Sequence, residues 1–166
     1  MKLILGIDPG TATTGFGVVR EHDNGSLEMV SYGTIDTSPN MEAHKRLQKL
    51  HEEIKELILL HQPDSCAVEK LFFQRNVSTA IAVGQARGVV LLAIAEAGLD
   101  FSEYTPNEVK QAVSGYGSAQ KHQVQEMVRT LLFLPGLPKP DDAADALAVA
   151  ITHINTCRFR SLASDQ

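Results

Sequence analysis

The sequence predicts an α/β domain in which a five-stranded mixed sheet is flanked by helices. Three apolar, strand-like segments separated by turn signals fill residues 1–36, which is typical of an antiparallel meander. Beyond them, strand patterns alternate with helical patterns, as they do in sheets that carry helices on their faces. In a sheet of this kind, the first strand is expected to lie inside the sheet rather than at its edge.

The three strands of the meander are predicted at residues 3–8, 15–20 and 27–35, where apolar residues cluster. Two chain-reversal signals separate them, Asp8-Pro9-Gly10 and Asp23-Asn24-Gly25. We therefore expect the three strands to pair in sequence order.

The middle of the chain alternates long helices with a short strand. A helix is predicted at 41–61 from an apolar stripe that is formed by Leu47, Leu50, Ile54, Leu57 and Ile58. A short apolar strand at 65–69 ends in an acid. The next helix, at 77–97, is apolar on nearly every side, so we expect more than one neighbour to bury it.

The alternation continues towards the C-terminus. After a strand at 101–105, the run Thr105-Pro106-Asn107-Glu108 has the capping-box arrangement and opens a short helix. Further helices are predicted at 119–132 and from Asp141 to about Thr156. We interpret 1–157 as a single domain and 158–166 as a flexible C-terminal tail.

The net charge of −5 argues at first against a nucleic-acid partner. However, residues 70–95 contain no acid and carry Lys70, Arg75 and Arg87. Acids elsewhere can also be cancelled by bound cations. Net charge therefore does not exclude a nucleic-acid partner.

Length, composition and cysteine usage favour a cytoplasmic protein without a membrane partner. The 166 residues, of which 43% are hydrophobic, fit one globular domain. Cys66 and Cys157 lack the spacing of a metal site, and the N-terminus lacks the pattern of a signal peptide. The longest apolar stretch, 88–95, is too short to span a bilayer.

Two acids end apolar strands of the predicted sheet. Asp8 closes the first strand and Glu69 closes the strand at 65–69. If these strands run parallel and side by side, the two acids meet at the edge where ligands bind in open α/β sheets. The alternative is that Asp8 is a turn residue before Pro9-Gly10 and that Glu69 is an ordinary strand-end charge.

Three further acids, Asp141, Asp142 and Asp145, open the last helix. They could simply cap the helix and complement its dipole. Because the following turns are almost entirely apolar, that helix is expected to be buried, with its first acids facing the sheet. Together with the strand-end acids they are hard oxygen ligands, which suit Mg²⁺ or Mn²⁺. Two such ions can activate a water and stabilise the leaving oxygen in phosphodiester hydrolysis.

Five motifs in order, with their spacing, resemble the RuvC family of bacterial Holliday junction resolvases over roughly residues 2–153. The motifs are Leu5-Gly6-Ile7-Asp8-Pro9-Gly10, Val68-Glu69, Gly84-Gln85-Ala86-Arg87-Gly88, Gly117-Ser118-Ala119-Gln120-Lys121 and Asp142-Ala143-Ala144-Asp145-Ala146-Leu147-Ala148. The resemblance implies an RNase H-like fold, a homodimer, and Mg²⁺-dependent, paired and symmetric nicks in four-way junction DNA during recombination and repair. It also implies cooperation with the branch-migration proteins RuvA and RuvB.

The same resemblance assigns roles to individual residues. It implies that the catalytic, metal-binding carboxylates are Asp8, Glu69, Asp142 and Asp145, with two Mg²⁺ ions per site and Mn²⁺ as a substitute. Asp141 is an additional acid, either an outer ligand or a cap. Lys110 and Lys121 correspond to basic residues that contact phosphates of the scissile strand.

The segment after Glu69 is interpreted as a DNA-facing loop. Phe72 matches the family position that stacks on an unpaired base at the junction centre, a contact of roughly 1–3 kcal/mol. Phe73 is either a second DNA contact or the aromatic that packs inside, and Arg75 adds positive charge beside DNA. The alternative for both aromatics is ordinary core packing.

Small residues recur every four positions in the helix at 77–97, at Ala80, Gly84 and Gly88. Such a row allows close helix contact, either with a partner subunit or with the protein's own sheet. A two-fold dimer suits a four-way junction, because it places two active sites on opposed strands.

The sequence is less consistent with three alternative functions. Actin-like ATP-binding proteins share the apolar-Gly-Ile-Asp-x-Gly-Thr loop, seen here at 6–11, but they clasp nucleotide between two such domains. The YqgF type of RNase H-like nuclease, which acts on RNA, shares the fold and the opening motif. A non-catalytic junction-binding module would need no acids at buried strand ends.

Overall fold

The computed structural model describes residues 1–70 and 77–164. In chain order, its elements are β1 (Lys2–Asp8), β2 (Thr13–Glu21), β3 (Leu27–Asp36), α1 (Ala43–His61), β4 (Ser65–Glu69), α2 (Val77–Glu96), β5 (Phe101–Tyr104), α3 (Pro106–Ser114), α4 (Lys121–Leu131) and α5 (Asp141–Ser164).

The strands form one five-stranded sheet in the order β3-β2-β1-β4-β5. The first three pair antiparallel, whereas β4 joins β1 in parallel and β5 joins β4 in parallel. The predicted mixed sheet and the central position of its first strand are confirmed. The α/β fold class is confirmed with them.

Helices cover both faces of the sheet, because successive side chains of a strand point to opposite faces. Leu5 and Ile7 of β1 pack with α1 and α2 on one face. Ile4 and Ala67 face the other way and pack with α3, α4 and α5. Gly6, Asp8 and Glu69 follow the same alternation, so they belong to the α5 face.

Within the described residues, helix α2 is buried on one side and exposed on another. Val90 and Ala93 are fully buried on the side that packs with α1 and the sheet. On another side Ile81 and Leu92 remain 60% and 52% exposed. By length and composition alone, the segment Thr79–Glu96 of α2 is long and apolar enough to cross a membrane, although the uninterrupted apolar stretch at 88–95 is too short. Only 22% of Thr79–Glu96 is buried in this chain. The described part of the chain therefore leaves an apolar side of α2 uncovered.

The predicted end of the last helix near Thr156 is wrong. Helix α5 continues to Ser164, so residues 158–164 of the predicted tail are helical. The cause is a tertiary contact: Arg158 donates from Nε to Glu21 Oε1 at 2.5 Å and from Nη2 to the carbonyl oxygen of Gly25 at 2.6 Å. These bonds tie the last turns of α5 to the β2–β3 hairpin.

Candidate active site

Asp8 and Glu69 end neighbouring parallel strands. Ile7 is in register with Val68, so the next residue in each strand is the acid. The alternation of side chains places both acids on the α5 face of the sheet. The parallel arrangement expected from the sequence is confirmed, and it brings the two acids to one edge.

Helix α5 lies directly on the sheet because the strands beneath it carry glycines. A Cβ added at Gly15, the residue opposite Asp8, would come within 1.9 Å of the carbonyl oxygen of Asp142. A Cβ at Gly6 would come within 2.2 Å of the Ala146 carbonyl oxygen. No larger residue could be accommodated at these crossing points, so glycine here sets the position of the first turns of α5 beside Asp8.

The acids of β1 and β4 share a proton. Burial, the hydrogen bond to Glu69 and the charges of Glu69, Asp145 and Asp142 together raise the pKa of Asp8 to about 9, with burial the largest cause. Burial also raises the pKa of Glu69, while the hydrogen bond from Asp8 opposes that rise. At neutral pH, Asp8 therefore keeps its proton and donates it to the Glu69 carboxylate. The four expected carboxylates, Asp8, Glu69, Asp142 and Asp145, interact with one another, so the structure brings them together. They are called the inner acids below.

Lys121, the first residue of α4, lies at the rim of this group. Its Nζ is 3.0 Å from Asp145 Oδ2 and 3.3 Å from Asp141 Oδ2. Burial lowers the pKa of the Lys121 amine, but the carboxylates of Asp145 and Asp141 raise it by more, so the pKa is raised overall. Burial likewise raises the pKa of Asp145, against the opposing effect of Lys121.

Asp141 stands apart from the four inner acids. It is exposed, and its Oδ1 accepts a hydrogen bond from Gln125 Nε2 at 3.0 Å. That bond, followed by the interaction with Lys121, lowers the pKa of Asp141. Asp141 is not among the charges that act on Asp8. Gln125 could not be identified from the sequence, because a polar residue on a helix surface carries no signal of its own.

The donor set fits divalent cations, although the side chains do not surround an ion. Within residues 1–70 and 77–164, no three His, Cys, Asp or Glu side chains have the spacing of a metal centre. Instead, Asp8 bonds to Glu69, and Asp145 pairs with Lys121. Crowded carboxylates satisfy one another in this way when no cation neutralises them. The pKa values of Asp8, Glu69 and Asp145 are raised accordingly.

The remaining predicted residues are placed less fully. Lys110 lies on α3, half-buried, and forms no ion pair with any residue in the described ranges. The structure does not bring it into contact with the carboxylates. Phe72, Phe73 and Arg75 lie outside the described residues.

Residues 4–153 match the protein family described as crossover junction endodeoxyribonuclease RuvC. Two similar curated proteins carry the same name. The protein from Syntrophomonas wolfei is 51% identical over 95% of this chain and 91% of its own length. The protein from Chloroflexus aggregans is 57% identical over 92% of each chain.

Solved structures show the same similarity. Thermus thermophilus RuvC superposes with a TM-score of 0.89 at 39% identity, covering 95% of this chain and 96% of that one. The same protein in complex with a Holliday junction substrate superposes with a TM-score of 0.87 at 36% identity, with the same coverage. The yeast mitochondrial resolvase Ydc2, 13% identical with a TM-score of 0.70 over 98% of this chain and 85% of its own, shares the fold. The RNase H-like architecture expected from the motifs is thereby confirmed.

Proposed function

Because this chain belongs to the RuvC family of crossover junction endodeoxyribonucleases, we propose that it resolves Holliday junctions by cutting DNA at the edge where β1 and β4 end. The observation that carries the proposal is the convergence of Asp8, Glu69, Asp142 and Asp145 at that edge. A Holliday junction is the substrate in the complex of the Thermus relative. The reaction is hydrolysis of a phosphodiester bond, in recombination and DNA repair.

The four inner acids are proposed as the ligands of two divalent ions, Mg²⁺ in the first place, with Mn²⁺ able to substitute. Bound ions of this class lower the pKa of a water molecule and neutralise charge on the leaving oxygen. The protein contributes the crowded carboxylates, held by two strand ends and by a helix fixed on the glycines beneath it. In-line attack of water on the scissile phosphorus would break its bond to the 3′ oxygen, leaving a 5′-phosphate and a 3′-hydroxyl.

Lys121 is proposed to hold the scissile phosphate. Its amine lies at the rim of the carboxylate group, where an incoming DNA strand first meets positive charge. It already bridges Asp145 and Asp141, so Asp141 can retain the amine when Asp145 engages a cation. Asp141 is thus proposed as an outer residue of the site, and Lys110 of α3 as a second phosphate contact.

The active form is proposed to be a homodimer built on α2. Ile81, Gly88, Leu92 and Ala95 recur along one exposed side of this helix. A Cβ added at Gly88 would meet nothing within 4 Å, so no contact inside the described chain requires a glycine there. A second copy seated on this side would place two sites on opposed strands, as two symmetric nicks require.

Further partners are proposed from family membership alone. Branch migration by RuvA and RuvB would deliver the junction, and the reaction would take place in the cytoplasm. The segment with Phe72, Phe73 and Arg75 is proposed to contact the junction centre.

The experiment that tests the proposed function uses labelled four-way junctions, linear duplex DNA and an RNA duplex, each with and without Mg²⁺. We expect paired incisions at symmetric positions of the junction, only when Mg²⁺ is present. Preferential cutting of RNA would support a nuclease of YqgF type instead. An absence of cutting under all conditions, by a protein that is folded, would contradict the proposal.

A further inference from the structure

Arg46 differs from most arginines of the described chain because it has no carboxylate partner. Arg20, Arg87, Arg129 and Arg158 each pair with a glutamate. Arg46, on α1, instead donates from Nε to Thr37 Oγ1 at 2.9 Å and from Nη2 to the Thr11 carbonyl oxygen at 2.6 Å.

The charge of Arg46 is therefore left without a balancing charge. A guanidinium has five N–H donors, and these two bonds occupy two of them. Neutral acceptors fix the direction of the group but leave its positive charge uncompensated. A half-buried cation of this kind is suited to an anionic ligand, and its planar fork matches phosphate in particular.

The guanidinium borders a small pocket, here called the Arg46 pocket, of about 130 Å³. The polar residues that line it are Gly10, Thr11, Thr14, Thr37, Arg46 and Gln85. Its apolar walls come from β3, α1 and α2. Thr37 is buried, and its hydroxyl donates to the Thr11 carbonyl oxygen at 2.9 Å. The pocket is thus built by a buried hydroxyl and an oriented cation, not by mobile surface lysines.

Two acids on neighbouring segments, Glu42 and Asp36, do not pair with Arg46. The Glu42 carboxylate, at the start of α1, pairs with Lys45 at 3.0 Å. The Asp36 carboxylate accepts hydrogen bonds from Thr13 and Thr34. Within the described residues, neither acid forms an ion pair with Arg46.

The pocket lies beside the proposed cleavage site. Gly10, one of its walls, follows Asp8 by two residues, a chain distance of at most about 7 Å. The rise of one DNA strand is about 3.4 Å per nucleotide, so a strand cut at Asp8 has its next phosphates within this range. A phosphate at the pocket would lie about one to three nucleotides from the scissile one.

We propose that the Arg46 pocket binds a backbone phosphate of the strand that is being cut, close to the scissile phosphate, and so sets the register of that strand. Arg46 is then a positioning residue and takes no part in the chemistry. This inference rests on the proposed junction-cutting function. It adds a phosphate contact on the α1 side of the connection between β1 and β2, opposite to the side on which Lys121 lies.

The test compares Arg46→Gln with Arg129→Gln in junction binding without divalent ions, over a range of salt concentrations. The two variants lose the same charge, but Arg129 lies eight residues beyond Lys121 on α4, about 12 Å away along the helix axis. For Arg46→Gln we expect about tenfold weaker binding and a salt dependence reduced by about one counterion, whereas Arg129→Gln keeps the wild-type slope. Arg46→Lys should restore the slope. Thermal unfolding of each variant checks its fold.

A second measurement locates the contacted phosphate along the DNA strand. Neutral methylphosphonate linkages are placed one at a time on both sides of the cut. Wild-type protein should lose affinity at one linkage within about three nucleotides of the cut, and Arg46→Gln should be insensitive to that same linkage.

Three outcomes would overturn the inference. In the first, a folded Arg46→Gln keeps the wild-type affinity and slope. In the second, it binds more weakly but responds to every neutral linkage as the wild type does, which would make Arg46 a purely structural residue. In the third, the wild-type protein does not bind the junction at all, and the proposed function then fails as well.

Discussion

Asp8 donates a hydrogen bond to the Glu69 carboxylate at the edge where β1 and β4 end side by side. Two acids in such a position cannot both be ionised cheaply without a cation, so one of them keeps its proton. Divalent ions would take the place of that proton and of the Lys121 amine on Asp145. Metal binding at this site should therefore be coupled to proton release, and the coupling can be measured.

The stability of the metal-free protein should fall as the pH rises from 7 to 9. Burial raises the pKa of Asp8 from 3.8 to about 9, so its stabilising contribution is complete below the unfolded value and is lost as pH rises through the folded one. The lowered pKa of His153 acts below this window. Thermal unfolding at each pH measures the effect, which Mg²⁺ should diminish. An Asp8→Asn variant with the same slope as the wild type would contradict the assignment.

Replacing Asp8 by asparagine should abolish cleavage and leave junction binding intact or tighter. The variant loses a ligand for the cations, and a neutral amide replaces a carboxyl group that repels DNA whenever it is ionised. Single-turnover cutting and a gel-shift titration of the same junction separate the two effects. Wild-type nicking by this variant would show that the site lies elsewhere.

Gly15→Ala should destabilise the protein by at least about 1–3 kcal/mol and strongly reduce cleavage. The new methyl group would meet the Asp142 carbonyl oxygen at 1.9 Å and push the first turn of α5 away from Asp8. Urea denaturation and the cleavage assay report the two effects. Gly136→Ala is the matched control, because a Cβ there meets nothing within 4 Å. Equal stability of the two variants would refute the close packing described for α5.

Leu92→Glu should convert the proposed homodimer into a monomer, because it places a charge on the uncovered apolar side of α2. Light scattering coupled to gel filtration gives the mass. Leu162→Glu, at a leucine that is 66% exposed near the end of α5, is the control and should leave the mass unchanged. A dimeric Leu92→Glu protein would move the interface to another surface.

The site was predictable where a local pattern forces a tertiary position. Asp8 and Glu69 each end a strand that is apolar enough to require burial in the sheet. The two acids therefore lie side by side once the two strands pair in parallel. The long apolar run after Asp145 similarly required α5 to be buried. These patterns record burial, which is the part of the fold that sequence reports best.

The features that could not be predicted depend on contacts between residues whose sequence context is that of ordinary surface residues. Arg158 holds the last turns of α5 against the β2–β3 hairpin, and nothing near it in sequence indicates that. Arg46 belongs to a helix face that reads as solvated, yet it reaches across to Thr11 and Thr37. The sequence left open what covers α2, because a helix that is apolar on all sides has the same composition whether its cover comes from its own chain or from another.

The central claim is that the four inner acids form one site for divalent ions, and Mn²⁺ binding to the protein without DNA tests it most directly. Calorimetric titration should show Mn²⁺ binding to the wild type and to Asp100→Asn, which removes an exposed acid just before β5, at the opposite edge of the sheet. Asp8→Asn and Asp145→Asn should each weaken that binding by at least about tenfold, an effect of about 1.4 kcal/mol. Wild-type Mn²⁺ affinity in either variant would mean that these acids do not hold a common ion.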